Sequence, residues 1–150
     1  MFSNKRNGMR ENERFNTNST ISGSKNSEED SSLQLARAIA EAADDRKASD
    51  IVILGVTELC YLTDYFVIVS GFSKTQVRAI ADSIEDKTQK ELQRTPLRTE
   101  GKAEGTWILQ DYGDVIVHTL LPTEREYYNL EAFWGHAERI PFQLSQSIGE

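Results

Sequence analysis

The sequence has only one cysteine, Cys60, and this scarcity excludes two kinds of structure. One thiol cannot form an intrachain disulfide. It also cannot build a structural zinc site when only two histidines, His118 and His136, accompany it, because such sites need four closely spaced ligands. We therefore predict no metal site and a reducing location for the chain.

Long apolar runs are also missing. No stretch of about 18 consecutive apolar residues is present, so we predict no membrane span and no membrane partner. Residues 1–31 lack the apolar core of a secretory signal peptide. Glu11 and Glu13 interrupt the basic residues there, which is a poor match to an organellar transit peptide. The simplest expectation is a cytoplasmic protein.

Positive charge is in short supply. The chain has 17 Lys and Arg residues against 24 Asp and Glu residues, a net charge of -7. Residues 1–31 hold five of each sign, so the whole excess falls on residues 32–150. An acidic domain repels phosphate backbones, which disfavours direct nucleic-acid binding. The charge either keeps the domain in solution or suits a basic protein partner.

The remaining composition and periodicity predict one α/β domain, a mixed sheet covered by helices. Residues 1–31 are rich in Asn, Ser, Gly and charge and predict a disordered N-terminal tail. The domain is predicted at 32–140, followed by a weakly ordered C-terminal tail at 141–150. The predicted order is α-β-β-α-β-β-α: a helix from Ser31 or Ser32, strands at 50–54 and 64–70, a helix capped by Ser73, a loop at 95–105, strands at 107–109 and 115–121, and a helix capped by Thr123.

Candidate nucleophiles are few. Cys60 and His118 are a chemically plausible pair, with Asp64 or Asp111 as the group that orients the histidine. Nothing in the sequence places them together. A small apolar role for Cys60, and a hydrogen-bonded histidine on an apolar strand face, are simpler accounts. We therefore predict no catalytic residue.

Two further patterns suggest ligands but have plainer explanations. Asp111 and Asp114 flank a turn and could hold a cation loosely, although turn chemistry accounts for both. The segment 71–73 (GFS) follows a strand and precedes a helix, where anions can bind. It has one glycine and no following lysine, so a simple helix cap explains it and no cofactor is predicted.

Several segments together resemble the ribosome-silencing factor family, also called Iojap-like. The resemblance covers about residues 33–140 and rests on long, ordered motifs. These are DYFVIVSG at 64–71, QVRAIA at 76–81, EG at 100–101, Trp107, DYGDVIVH at 111–118, REYYNLE at 125–131 and Trp134.

The resemblance implies a nucleotidyltransferase-like fold that has lost its active site. It implies docking on protein fourteen of the large ribosomal subunit, which would block joining of the small subunit and repress translation under nutrient limitation. Relatives in organelles act in large-subunit assembly, and family members often form homodimers. No enzymatic activity is expected.

The residues agree with a lost active site. Active nucleotidyltransferases carry Gly-Ser followed by Asp-x-Asp, whereas here Phe72 separates Gly71 from Ser73 and no Asp-x-Asp follows before the helix. Two-metal phosphoryl transfer therefore lacks its ligands. The alternatives are a diverged nucleotidyltransferase or nucleotide-binding protein that uses Ser73 and Asp64, and a large-subunit assembly factor.

The matching family positions are the candidate partner contacts. Trp107, Asp111 and Tyr128 are the preferred ones, and Arg125 is expected to pair with Asp111 or Asp114 across the turn. A structural role is the alternative at each position. We expect one strand edge and one helix face to form a single patch from Trp107, Asp111, Asp114, His118, Arg125, Tyr128, Glu131 and Trp134.

Overall fold

A six-stranded mixed sheet organises the part of the chain that the structure describes. The structure is a computed structural model, and it describes residues 18–142, with side chains from residue 31. The described residues divide into two units at residues 31 and 32. The elements are α1 (Asn18–Asp45), β1 (Ser49–Gly55), β2 (Tyr65–Ser70), α2 (Lys74–Leu92), β3 (Arg98–Glu100), β4 (Trp107–Asp111), β5 (Val115–Leu120), α3 (Pro122–Tyr128), α4 (Leu130–Phe133) and β6 (Glu138–Ile140).

The strand order is β3-β4-β5-β2-β1-β6. Strands β2 and β5 run parallel at the centre, with Tyr65 opposite Val115 and Ser70 opposite Leu120. The other neighbouring strands are antiparallel. The two central strands therefore end at the same edge of the sheet, where each leads towards a helix. In β2 the last five of six residues are buried, as predicted for a central strand.

One face of the sheet carries the main core. On α1, Leu35 and Ile39 are fully buried, with alanines at helical spacing around them. From α2, Ile80 and Ile84 reach the same cluster, which includes Val67 and other strand residues. Burying each Leu or Ile side chain contributes about 1.5–3 kcal/mol, so this face supplies most of the stability.

The opposite face is covered thinly. Short helices α3 and α4 contain no buried residue. Trp107, Leu130 and Trp134 are partly buried against the cluster formed by Leu54, Phe66, Ile68 and neighbouring residues. Large apolar side chains remain outside this layer, including Tyr127, which is 81% exposed. A thin, aromatic cover of this kind is unlike a closed core and leaves surface for a partner.

The predicted fold class is confirmed, because the seven predicted elements occur in the predicted order within a mixed sheet. The Ser73 cap is also confirmed, since its Oγ accepts the Gln76 N–H at 3.0 Å. The closer likeness to nucleotidyltransferases stays a prediction. Among residues 18–142, no helix combines the length and apolar composition that crossing a membrane requires.

Two edge strands were missed. Strand β3 lies within the predicted loop at 95–105, and β6 begins two residues before Ile140, where no strand was predicted. Both have three residues and are mostly exposed, and each pairs with one neighbour only. Backbone pairing rather than an alternating apolar pattern creates them, so composition gave no signal.

The predicted helix starts need two corrections. Helix α1 begins at Asn18 rather than at Ser31 or Ser32, because adding a residue to an existing helix costs far less than nucleating one. Helix α3 begins at Pro122, so Thr123 is not its cap; the Thr123 hydroxyl instead donates to Glu124. The predicted domain boundaries, including disorder in the tail, stay a prediction, and residues 1–17 and 143–150 lie outside the described part.

The predicted final helix is interrupted. Asn129 has φ 47° and ψ 58°, a left-handed conformation that ends α3 before α4 begins. Asparagine tolerates this conformation better than most residues. The break therefore places Tyr128 at the end of one short helix and Trp134 just after the next.

Candidate partner-binding surface

Aromatic side chains from β2, β4, β5 and α3, together with Trp134 after α4, form a row of ring contacts that starts where β4 begins. The Trp107 ring lies 4.8 Å from the Tyr128 ring and 5.9 Å from the His118 ring, measured between centroids. Phe66 lies 5.5 Å from His118 and 5.2 Å from Trp134. These tilted contacts favour a fixed arrangement of the rings. We call this row of five residues, after its exposed start at Trp107 and Tyr128, the aromatic end of the β4–β5 hairpin.

His118 fixes the orientation of Trp107. The indole Nε1–H donates to His118 Nδ1 at 3.1 Å, which requires an unprotonated nitrogen at that position. His118 is 9% exposed. Burial lowers its pKa to about 4, so the ring is neutral at physiological pH and can accept this bond. The predicted satisfied histidine is confirmed, and its role here is support of Trp107.

Cys60 and His118 make their polar contacts with different partners. Its Sγ accepts the Leu62 N–H at 3.4 Å, and the side chain packs against the apolar cluster of Leu54 and Phe66. The only polar contact described for the His118 ring is the bond from Trp107. This geometry supports the interpretation of Cys60 as a small apolar side chain and gives no support to a Cys–His nucleophile.

Tyr128 is the outward member of the aromatic end. It is 52% exposed, and its other ring neighbour is Tyr127 at 4.9 Å in an edge-on arrangement. Trp107 is half-buried beneath it. One aromatic side chain is therefore presented to solvent while the next is held rigidly under it.

A groove of about 470 Å³ opens beside these two rings. Its lining contains three carboxylates and no Lys or Arg: Glu100, Gly101, Glu104, Thr106, Trp107, Leu109, Glu124 and Tyr128. Glu100 also pairs with Arg98 outside the lining, but both side chains are more than half exposed, so that pair neutralises little. We call this feature the acidic groove. Carboxylates around aromatic faces suit a cation, by charge and by cation–π attraction.

Arg125 and Glu131 form a two-pronged ion pair behind the aromatic end. Arg125 donates to the two Glu131 oxygens at 2.7 and 3.1 Å and to Ser70 Oγ at 3.0 Å. The hydrogen bond from Arg125 is the main reason that the pKa of Glu131 lies below its usual value. This pair bridges the break at Asn129 and ties α3 and α4 to β2.

The predicted pairing of Arg125 with Asp111 or Asp114 is wrong. Arg125 follows β5 and Asp114 precedes it, so a six-residue strand of about 20 Å separates them. The residues after Leu120 and those before Val115 lie at opposite ends of β5. Arg125 links α3, α4 and β2 and does not stabilise the hairpin turn.

Asp111 and Asp114 occupy the other end of the hairpin, which we call the turn end. Asp111 Oδ1 accepts the Gly113 N–H at 2.8 Å, the turn chemistry that the sequence predicted. Asp114 accepts hydrogen bonds from Arg94 and Ser32, each at 2.7 Å. Burial alone would raise the pKa of Asp114, but these two bonds outweigh it and hold the pKa below its usual value.

The eight predicted contact residues therefore do not form one patch. Trp107 and Asp111 are the first and last residues of β4, about 14 Å apart along the strand. Trp107 and Tyr128 lie where β4 begins, and Asp111 and Asp114 lie at the turn end. Between them, His118 lies opposite Leu109, and Trp134 packs on Phe66. A role for any of the eight in partner binding stays a prediction.

The groove carboxylates were missed by the sequence reasoning. Glu100 was part of a quoted motif, but its strand was interpreted as loop, and Glu104 and Glu124 had no pattern to distinguish them. Pairing of β3 with β4 places Glu100 opposite Leu109 and so beside Trp107. The one available signal was the pair of glutamates, Glu100 and Glu104, within the seven residues before Trp107.

Ser73 and Asp64 do not share a site. Asp64 precedes β2 and Ser73 follows it, so the strand separates them by about 20 Å. Ser73 caps α2, and Asp64 lies within 3.4 Å of the Thr57 hydroxyl. The two side chains cannot act on one phosphate, which weakens the nucleotidyltransferase alternative.

Comparisons with known proteins point to one family. The sequence model of the family described as ribosomal silencing factor during starvation matches residues 29–149. A ribosomal silencing factor of Bacillus subtilis is 41% identical over 103 residues, covering 69% of this chain and 86% of that protein.

Organellar proteins are similar over the same region. The chloroplast Iojap protein of maize is 38% identical over 116 residues, which is 76% of this chain and 50% of the maize protein. A mouse protein named for mitochondrial assembly of the ribosomal large subunit is 36% identical over 106 residues, 69% of this chain and 46% of that protein. The chain thus spans about half the length of these relatives.

A solved structure has the same fold. The crystal structure of a Chromobacterium violaceum protein matches with a TM-score of 0.66 at 35% identity, covering 75% of this chain and 94% of that one.

Proposed function

The chain belongs to the ribosomal silencing factor family, and from this we propose that it docks on protein fourteen of the large ribosomal subunit and blocks joining of the small subunit. Docking would repress translation when nutrients are limiting. The factor acts by occupying a surface and not by chemistry, and it does so in the cytoplasm. The observation that carries the proposal is the acidic groove beside Trp107 and Tyr128.

The charge of the groove selects a basic partner. Glu100, Glu104 and Glu124 surround two aromatic faces, and the groove lining has no cation of its own. Proteins that bind ribosomal RNA carry Lys and Arg on their surfaces to neutralise phosphates. A lysine or arginine side chain from such a protein would find carboxylates and an aromatic face together in the groove.

The aromatic end meets the requirements of an interface anchor. Tyrosine and tryptophan dominate binding energy at protein interfaces when they are packed and held in place. Here Tyr128 is exposed, whereas the ring beneath it, Trp107, is immobilised by its bond to His118. Because the rings are already ordered, little conformational entropy is lost when the partner binds.

Cosedimentation tests the proposal. We expect the protein to sediment with isolated large subunits and not with joined ribosomes, and an excess of the protein to prevent joining of purified subunits. Tyr128→Ala should remove most of this binding. Tyr61→Ala is the matched control, because Tyr61 is another exposed tyrosine and lies outside the groove lining. Absence of binding to large subunits would contradict the proposal.

A binding role also predicts the outcome of a nucleotide test. A ligand that binds the folded state raises the unfolding temperature by mass action. We expect no change with millimolar ATP or CTP and magnesium, since Ser73 and Asp64 lie at opposite ends of β2. A clear rise would favour the nucleotide-binding alternative.

Large-subunit assembly is a second candidate function, favoured by the name of the mouse relative. The same docking surface would serve both tasks. Removal of the protein from cells separates them: silencing predicts mature large subunits with unrepressed translation in starvation, whereas assembly predicts immature large subunits. A homodimer also stays a proposal, which the sedimentation coefficient of the free protein tests.

A further inference from the structure

The turn at residues 101–105 forms one wall of the acidic groove, and two glycines set its shape. Gly101 has φ +91°, and a Cβ atom there would lie 2.0 Å from the Trp107 carbonyl oxygen. The Gly105 N–H donates to the Gly101 carbonyl at 3.0 Å and closes the turn. The turn therefore lies directly against the backbone of Trp107 and carries Glu104 beside it. We call it the groove turn.

Arg78, on α2, donates two hydrogen bonds to the backbone of this turn. Its Nε donates to the Lys102 carbonyl at 2.9 Å, and its Nη2 donates to the Ala103 carbonyl at 2.7 Å. A Cβ atom on Gly105 would lie 3.0 Å from the guanidinium, so Gly105 leaves the space that the group occupies. A planar fork of two N–H donors matches two successive carbonyls, a geometry that lysine cannot reproduce.

We propose that Arg78 is a positioning residue for partner docking, which it supports by holding the groove turn so that Glu104 and Glu100 face the groove. This inference rests on the proposed function. Arg78 does not line the groove, so it does not contact the bound side chain directly. Its effect passes through two backbone carbonyls to the carboxylates and to Trp107.

A second link joins the same turn to α2 and provides the control. Lys102 Nζ lies 2.6 Å from Asp82 Oδ1, but the two side chains are 47% and 61% exposed. Exposed ion pairs stabilise little. Lys102→Ala therefore removes charge from the groove turn while leaving the Arg78 bonds intact.

The experiment has one readout that needs no partner and one that does. Hydrogen exchange at the Gly105 amide reports whether the turn stays closed, and cosedimentation with isolated large subunits reports docking. For Arg78→Ala we expect about tenfold faster exchange at Gly105 and about tenfold weaker docking. Arg78→Lys should give a smaller loss of the same kind. Lys102→Ala should stay within about twofold of the original protein in both.

A second variant reaches the same contact from the turn. Gly105→Ala introduces a Cβ against the guanidinium at φ +75° and should reproduce the faster exchange and weaker docking. It keeps the test decisive if Arg78→Ala fails to fold, which circular dichroism would reveal.

The outcomes separate the two claims. Faster exchange with unchanged docking in Arg78→Ala overturns the inference but leaves the proposed function standing, provided that Tyr128→Ala still loses binding. Unchanged exchange at Gly105 overturns the inference outright. Failure of the unaltered protein to bind large subunits overturns both.

Discussion

At the turn end of the hairpin, Asp114 is enclosed by Arg94 and Ser32, whereas at the aromatic end Glu100 and Glu104 are exposed beside Trp107. The carboxylates are chemically alike, but Asp114 pairs with the partly buried Arg94, whereas the ion pair described for the groove glutamates is the solvent-exposed one between Glu100 and Arg98. The difference shows that internal pairing, and not residue type, decides which acidic residues are available to a partner. The turn end holds the fold, and the aromatic end is the surface that we propose binds the large subunit.

Acid should produce the largest effect, because it charges the histidine that supports Trp107. The pKa of His118 falls from 6.5 in the unfolded chain to about 4 in the folded one, so the unfolded state binds more protons between these values. Its contribution to stability is complete above pH 6.5 and is lost as pH falls towards 4, about 3 kcal/mol in all. Urea unfolding at a series of pH values measures this loss.

His118→Gln is the matched control for that measurement. The glutamine amide retains a hydrogen-bond acceptor but does not titrate. We expect the variant to lose most of the dependence between pH 6.5 and 4. An unchanged slope would assign the pH dependence to groups other than His118.

Truncating Tyr128 should give the next largest effect, on binding alone. Loss of an anchoring aromatic typically costs about 2 kcal/mol, so Tyr128→Ala should weaken docking about thirtyfold. The unfolding midpoint in urea should hardly change, because half of the side chain is exposed. Affinity for large subunits equal to that of Tyr61→Ala would remove Tyr128 from the interface.

Asp114→Asn should show the reverse behaviour. It weakens the bonds from Arg94 and Ser32, and we expect the free energy of unfolding to fall by about 1–2 kcal/mol, since both side chains of the ion pair keep some solvent contact. Docking should stay within about twofold at temperatures where the variant is folded. A loss of affinity with full stability would mean that the turn end also contacts the partner.

Charge reversal at single carboxylates should have the smallest effect and compares the two ends most evenly. Rim charges mainly alter association rate, so Glu104→Lys should weaken docking about threefold and reduce its salt dependence. Asp111→Lys should have less effect, because Asp111 lies at the turn end. Surface plasmon resonance on immobilised large subunits measures both variants. A larger loss of affinity with Asp111→Lys than with Glu104→Lys would place the charged edge of the interface at the turn end.

The sequence allowed much of the sheet to be predicted, because apolar strands such as 64–70 and the Ser73 cap depend on local composition. The edge strands β3 and β6 were not predictable in this way, since only pairing with a neighbour defines them. Arg125 illustrates a second limit. Its partner Glu131 is six residues away, but the break at Asn129 brings the two together, and that break depends on tertiary packing.

The surface itself was only half predictable. Trp107 and Tyr128 are identified by the family resemblance and lie together in the structure. Their separation from Asp111 and Asp114 follows from the length of β4. It could have been deduced by placing Trp107 and Asp111 at the two ends of one five-residue strand. The role of Arg78 could not, because it depends on a contact between α2 and a turn 24 residues later in the chain.

A photo-cross-linking group placed at Tyr128 or at Asp111, with the protein bound to isolated large subunits, tests the central claim most directly. The account predicts a cross-link from position 128 to a basic large-subunit protein, identified by mass spectrometry as protein fourteen, and little or none from position 111. A strong cross-link from position 111 with none from position 128 would contradict it.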